Sequence, residues 1–218
     1  MFSKKISTFI GLALLTTLSY SSSAVINTNS LVLKDKYTLE STTNLSNSIP
    51  AIDKDGNINI VVEIPAGTNE KWEVNPETGN LEWEIRNGKP RIVQYLPYVG
   101  NYGMVPQTLT GDGDTIDVLL LGDAIARGEV KKGRVIGVVK MIDKGEQDDK
   151  LIAIGENSVF SEIKTLDEFN NKFPGITDII KIWFANYKGP NGKVEITGVG
   201  NEIEAMKMLD ESMKNFKK

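Results

Sequence analysis

The sequence predicts an α+β domain, mainly β, built on a small antiparallel barrel. Two observations carry that class. Apolar, β-branched runs of strand length, separated by polar and Gly/Pro-rich stretches, fill the middle of the 218-residue chain. A helical period of 3.6 residues appears only in its last third, so strands come first and helices last.

Residues 1–24 read as a secretory signal peptide. Lys4 and Lys5 give a positive start, an apolar run follows from Ile6 to Tyr20, and Ser21-Ser22-Ser23-Ala24 offers the small side chains a signal peptidase requires. The run is shorter than the roughly 20 apolar residues of a bilayer span. Cleavage is therefore expected, giving a periplasmic or secreted protein with no membrane contact after signal removal. Organelle targeting fits less well, because the segment lacks arginine. Residues 25–55 are polar and rich in Ser, Thr and Asn; they read as a flexible polar leader. The folded domain is then 56–218.

Residues 58–64 form the first strand, ended by Pro65. Residues 71–74 and 81–85 flank the turn cluster Asn75-Pro76-Glu77-Thr78-Gly79-Asn80 and predict a hairpin. Residues 115–121, 133–142 and 151–154 are three further apolar strands. Thr165 and Glu168 make a capping box for a helix that stops at Pro174. Ile176, Ile180, Trp183, Phe184 and Tyr187 share one helical face. A short strand over 193–197 precedes a final helix that enters at Asn201 and carries Ile203, Met206, Leu209, Met213 and Phe216 on one stripe.

The chain has neither cysteine nor histidine, and its formal net charge is −4. No disulfide supports the fold, zinc lacks its usual ligands, and a Ser-His-Asp or Cys-His mechanism has no base. Acidity argues against nucleic acid as a partner. An anionic substrate would have to be met by local positive charge or by bound cations.

The most informative stretch is Gly111-Asp112-Gly113-Asp114-Thr115-Ile116-Asp117, which runs into an apolar strand. Its aspartates stand at i, i+2 and i+5. Crowded carboxylates repel one another unless a cation lies between them, and all-oxygen ligands favour magnesium, manganese or calcium. A solvated acidic turn or a stiffening calcium loop would read alike, although Ile116 stands where an EF-hand needs a ligand. A second acidic segment, Asp143 to Lys150, joins two strands and on its own is an ordinary polar hairpin tip.

Together these segments resemble the family I (soluble) inorganic pyrophosphatases, over about residues 57–200. The family's Asp-x-Asp-x-x-Asp run is Asp112-Gly113-Asp114-Thr115-Ile116-Asp117. Val61-Val62-Glu63-Ile64-Pro65-Ala66 resembles its first active-site strand, Lys71-Trp72-Glu73 its Lys-aromatic-Glu, and Gly88-Lys89-Pro90-Arg91 its arginine segment. Tyr98-Val99-Gly100-Asn101-Tyr102-Gly103 matches its Asn-Tyr-Gly loop, with Val99 in place of the usual proline. Asp143, Asp148 and Lys150 fall at the family spacing, and Tyr187-Lys188 matches its Tyr-Lys pair.

The resemblance implies an OB-like five-stranded antiparallel barrel with flanking helices, and hydrolysis of pyrophosphate with several Mg2+ ions per site, Mn2+ substituting. It assigns Asp112, Asp117, Asp148 and Asp143 to metal, and Asp114 to the attacking water. Lys71, Arg91, Tyr102, Lys150, Tyr187 and Lys188 fall to the substrate, with Lys71, Arg91 and Tyr102 also counted as catalytic. Glu63 and Glu73 act through waters or hydrogen bonds. Self-association as a hexamer or dimer is implied too. Read without the family, Tyr187 is a core residue, Lys71 and Lys150 are strand lysines, and Arg91 is a salt-bridge partner. The alternative function is an exported calcium-binding β-domain without catalysis; a hydrolase of polyphosphate or nucleotides is a further one.

Overall fold

The structure, a computed structural model, describes residues 31–190, 192 and 194–217. The signal-like segment lies outside them. In chain order come β1 (Leu31–Asp35), β2 (Thr38–Ser41), β3 (Ile58–Ile64), β4 (Trp72–Val74), β5 (Leu81–Trp83), β6 (Ile85–Arg86) and β7 (Lys89–Pro90). There follow β8 (Asn101–Met104), β9 (Asp117–Leu121), β10 (Val130–Asp143), β11 (Glu146–Gln147), β12 (Lys150–Gly155), α1 (Leu166–Lys172), α2 (Ile176–Asn186), β13 (Val194–Asn201) and α3 (Glu202–Phe216).

Five strands close a circuit in the order β3, β8, β9, β12, β10 and back to β3. This is the predicted barrel, with one departure from the all-antiparallel expectation: β9 and β12 run parallel, Lys150 lying opposite Asp117 and Ile154 opposite Leu121. The long β10 passes between them in sequence and turns back into β12, so β12 takes the direction of β9. β10 spans 14 residues because it serves four partners, β3 at its start, β12 in its middle, β13 along its second half and β11 at its end. β3 is buried along its whole length, covered on both faces, which is why it is mainly apolar without alternation, broken only by the buried Asn59 and Glu63. Close approach is also needed beside β8: a Cβ on Gly103 would lie 1.9 Å from the Val61 carbonyl oxygen.

The flexible-leader expectation fails for residues 31–55. β1 and β2 form an antiparallel hairpin, and β2 extends the predicted β4–β5 hairpin into a four-stranded satellite sheet, β1-β2-β5-β4. Leu45, 0 % exposed, packs with Val61, Trp72, Leu81 and Met104 between this sheet and the barrel. The segment is polar on average, yet its few apolar side chains meet a surface made by distant residues, and mean composition cannot register that. α1 and α3 begin as expected, with Thr165 accepting from Glu168 N and Asn201 from Glu204 N, each at 3.1 Å. The buried face of α3 is rotated from the predicted stripe. Ala205, Leu209 and Ser212 are buried and Ile203 is 71 % exposed, because the small Ala205 lets the helix approach the barrel. α2 buries Ile180, Trp183 and Phe184, and Tyr187 follows on the same face. Among the described residues no helix is long and apolar enough to cross a membrane.

Candidate active site

The acidic turn is built locally. Thr110 N donates to the Asp114 carbonyl at 2.7 Å, and the Asp112 carboxylate accepts from Asp114 N at 3.2 Å and from the Thr110 hydroxyl. Gly113, at φ +93°, supplies the left-handed step that closes this loop. The chain then enters β9 with Asp117 as its first residue. The parallel register sets Lys150 opposite Asp117. The Lys150 ammonium donates to Asp117 Oδ2 at 2.5 Å and also to Asp148. Asp148 is placed by its own N–H on the Met141 carbonyl at 3.0 Å, while neighbouring Asp149 turns inward to accept from Met141 N at 2.9 Å.

Two cavities, of about 410 and 830 Å³, share Asp114, Thr115 and Asp117 in their walls. Asp112 and Asp148 line the smaller; Glu63, Lys71 and Glu73 line the larger. Two distant acidic segments thus converge on one place. Lys71 Nζ pairs with Glu73 at 2.6 Å and lies 5.1 Å from the Tyr102 ring centroid, and Tyr102 helps hold the Asp117 carboxyl below its ordinary pKa. Glu63 Oε1 accepts from Val74 N at 2.7 Å, tying the barrel to the satellite sheet.

Arg91, Tyr187 and Lys188 line a neighbouring cleft of about 560 Å³ rather than the acidic cavity itself. The Arg91 guanidinium donates to Glu84 Oε2 at 2.5 Å, and the Lys188 ammonium donates to Asp143. Tyr187 satisfies both of its sequence readings: its ring stacks on Trp183 at 5.1 Å within the core while it lines the cleft.

Protonation follows burial and pairing. Burial works against the charged forms of Lys71 and Lys150, yet the carboxylates around each hold its pKa above the ordinary lysine value. Burial would raise Asp117, but Lys150 and Lys71 bring it below the usual carboxylate range. Asp148 is raised by burial despite Lys150, and Asp114 by burial and by Asp112 and Asp117. Burial pushes Glu63 up to about 8, against the pull of Lys71. Tyr98 and Tyr102 are raised by burial, so both stay hydroxyl donors.

The donor set suits hard divalent cations: carboxylate oxygens only, from two loops, with Asp143 Oδ1 buried and lacking a hydrogen-bond partner. As they stand, no three acidic side chains among the described residues close on one point. The Lys150 ammonium takes up the space between Asp117 and Asp148.

Sequence reasoning missed two residues here. Tyr98 is buried against Tyr102 at 5.1 Å and feels Arg91, Asp117 and Lys150. Its signal was the second tyrosine in Tyr98-Val99-Gly100-Asn101-Tyr102. Glu84, which holds Arg91 and Arg86, gave no signal beyond lying in a short strand.

Similarity to known proteins agrees with this geometry. The family profile described as inorganic pyrophosphatase matches residues 60–217. An inorganic pyrophosphatase from Ralstonia nicotianae is 33 % identical over 177 residues, 79 % of this chain and 98 % of its own length. The mitochondrial inorganic pyrophosphatase of Saccharomyces cerevisiae is 36 % identical over 160 residues, 62 % of this chain; the match spans 52 % of that longer protein. A Drosophila melanogaster inorganic pyrophosphatase is matched over 46 % of its length. The solved Helicobacter pylori inorganic pyrophosphatase superposes with TM-score 0.69 at 32 % identity, covering 79 % of this chain and 100 % of that one. With the profile matched over residues 60–217, a relative matched over nearly its whole length, and the acidic turn and cation-lined cleft inside that stretch, the chain belongs to the family I inorganic pyrophosphatases.

Proposed function

We propose that the protein hydrolyses inorganic pyrophosphate to two phosphates, on Mg2+ held by Asp112, Asp117 and Asp148 with Asp143 contributing on the cleft side. The observation that carries this reading is the convergence of Asp112, Asp114, Asp117 and Asp148 on one cavity beside Lys71 and Lys150. Magnesium bound there supplies charge neutralisation and makes water more acidic. Asp114 is partly exposed to the cavity and carries a raised pKa, which suits a group that accepts the proton of the attacking water. The water oxygen bonds one phosphorus while the bridging P–O bond opposite breaks. The bridging electron pair leaves on the second phosphate, and Arg91, Lys188 and Tyr187 on the neighbouring wall stabilise it. Lys71 and Tyr102 hold the phosphate under attack. Lys150 keeps Asp117 and Asp148 ionised, and Glu63 and Glu73 hold Lys71 in place.

Neither the site nor the relatives favour the calcium-binding module. Phosphate release from pyrophosphate by the full chain, with Mg2+ and then with Mn2+ or Ca2+, tests the reading; no release with any of the three rejects it. Assays with triphosphate and ATP beside pyrophosphate fix the substrate class. Two further parts of the reading rest on sequence alone. The order of charge, apolar run and small residues before Val25 supports export, tested by fractionating cells that express the whole chain. Self-association as a hexamer or dimer rests on the family resemblance and is measured by light scattering.

A further inference from the structure

Both substrate-facing cations of the satellite side are tied to one main-chain oxygen. The Arg91 carbonyl accepts from Lys71 N at 3.0 Å and from the Trp83 indole N–H at 2.9 Å. Glu84 completes a closed ring of backbone bonds, accepting from Arg91 N at 2.8 Å and donating to the Lys71 carbonyl at 2.9 Å. Trp83 is the one side chain in that ring.

Its indole is held from both sides. It stacks on Trp72 with centroids 5.4 Å apart and planes at 26°, and Tyr37 of the N-terminal hairpin meets it edge-on at 6.3 Å and 78°. The Tyr37 carbonyl accepts Trp83 N at 2.8 Å, so the hairpin fixes the residue's main chain as well. The far face of Trp72 carries the Arg127 guanidinium at 4.6 Å. An indole so confined presents its N–H in one direction only, towards Arg91. A phenyl ring would keep the stack and lose that donor.

We propose that Trp83, braced by the β1–β2 hairpin, is a positioning residue that fixes the spacing of Lys71 and Arg91 and thereby the fit of the site to two linked phosphates. The inference rests on the reading of Lys71 and Arg91 as phosphate ligands. Trp83 lines the larger cavity beside Lys71 and is assigned a positioning role, with no bond to the phosphates. Losing one hydrogen bond that holds a cation's main chain should weaken substrate binding by about threefold to tenfold and leave metal binding alone, because the acidic turn and β12 lie on the barrel.

Steady-state hydrolysis by Trp83→Phe in the full chain tests this. The expected result is that rise in KM for pyrophosphate, with kcat within about twofold and the Mg2+ concentration for half-activation unchanged. In an Arg91→Lys background the same change should raise KM by less than it does in the parent, since only the part acting through Lys71 remains. An unchanged KM, or a full additional rise in the double variant, overturns the proposal. If Arg91→Lys alone keeps the parent KM, the assignment of Arg91 fails first and the positioning role falls with it. If Trp83→Phe does not fold, Tyr37→Leu, which removes the edge that pins the indole, should raise KM about twofold; no rise there overturns the proposal equally.

Discussion

The carboxylate wall and the cation wall of the site are anchored differently. Asp117 begins barrel strand β9, Asp148 lies in the short link into β12 and is pinned by its N–H to the Met141 carbonyl of β10, and Asp112 and Asp114 sit in the tight turn that feeds β9. Lys71 and Arg91 flank a satellite sheet that leans on the barrel through Leu45, Val61, Trp72, Leu81 and Met104. Half of that sheet comes from residues 31–41. The difference separates two tasks. On the roles proposed above, metal placement would depend on the barrel, and substrate grip on an attachment that could be loosened without undoing it.

Asp114→Asn should produce the largest effect. Asparagine keeps the turn and removes the proton acceptor, so turnover should fall by about 10²- to 10⁴-fold while the thermal midpoint stays within a degree or two of the parent, about what a surface change allows. Turnover within tenfold of the parent would remove Asp114 from the role of base. Leu45→Ala comes next. It deletes most of a fully buried side chain at the seam between the two regions, and should cost about 2–5 kcal/mol in urea unfolding. If the walls are separable, what activity survives should show a raised KM for pyrophosphate with little change in Mg2+ activation. Equal changes in both would break the comparison. Arg91→Lys would remove the proposed two-pronged grip and keep the charge; a rise near tenfold in KM is expected, about 1.4 kcal/mol.

Legibility in the sequence divided along the same seam. Four of the five barrel strands announce themselves as mainly apolar, β-branched runs, whereas the short β8, Asn101-Tyr102-Gly103-Met104, carries no such run and was not legible as a strand; the acidic turn stands out because three carboxylates at fixed offsets beside an apolar run need a cation. The capped starts of α1 and α3 were legible from Thr165 and Asn201. The parallel pairing of β9 and β12 was not, since direction is set by how β10 crosses between them rather than by any residue within them. Nor were β1 and β2: Leu31, Leu39 and Leu45 are spaced too far apart to form a local pattern, and their partners Trp72, Trp83 and Val61 are distant in sequence. Arg91 and Tyr187 looked like ordinary salt-bridge and core residues, and structurally they are both that and cleft-lining. Only the family pattern marked them as more.

Glu63 joins the two regions, and its effect is a slope rather than a loss. It stands on β3, accepts from Val74 N of the satellite sheet and faces Lys71. Burial raises its pKa from an ordinary 4.5 to about 8. Between those values the folded protein holds a proton that the unfolded chain has released. Unfolding therefore releases a proton, and in metal-free protein the Glu63 contribution to stability, fully present below pH 4.5, is lost as pH rises through 8. The decline can be no steeper than about 1.4 kcal/mol per pH unit. Urea titrations in EDTA from pH 5 to pH 8.5 should show it, and Glu63→Gln, which stays neutral and can still accept from Val74 N, should flatten it. A parent protein already flat over that range would mean that Lys71 holds Glu63 ionised throughout, making the join between the walls a standing ion pair rather than a neutral hydrogen bond.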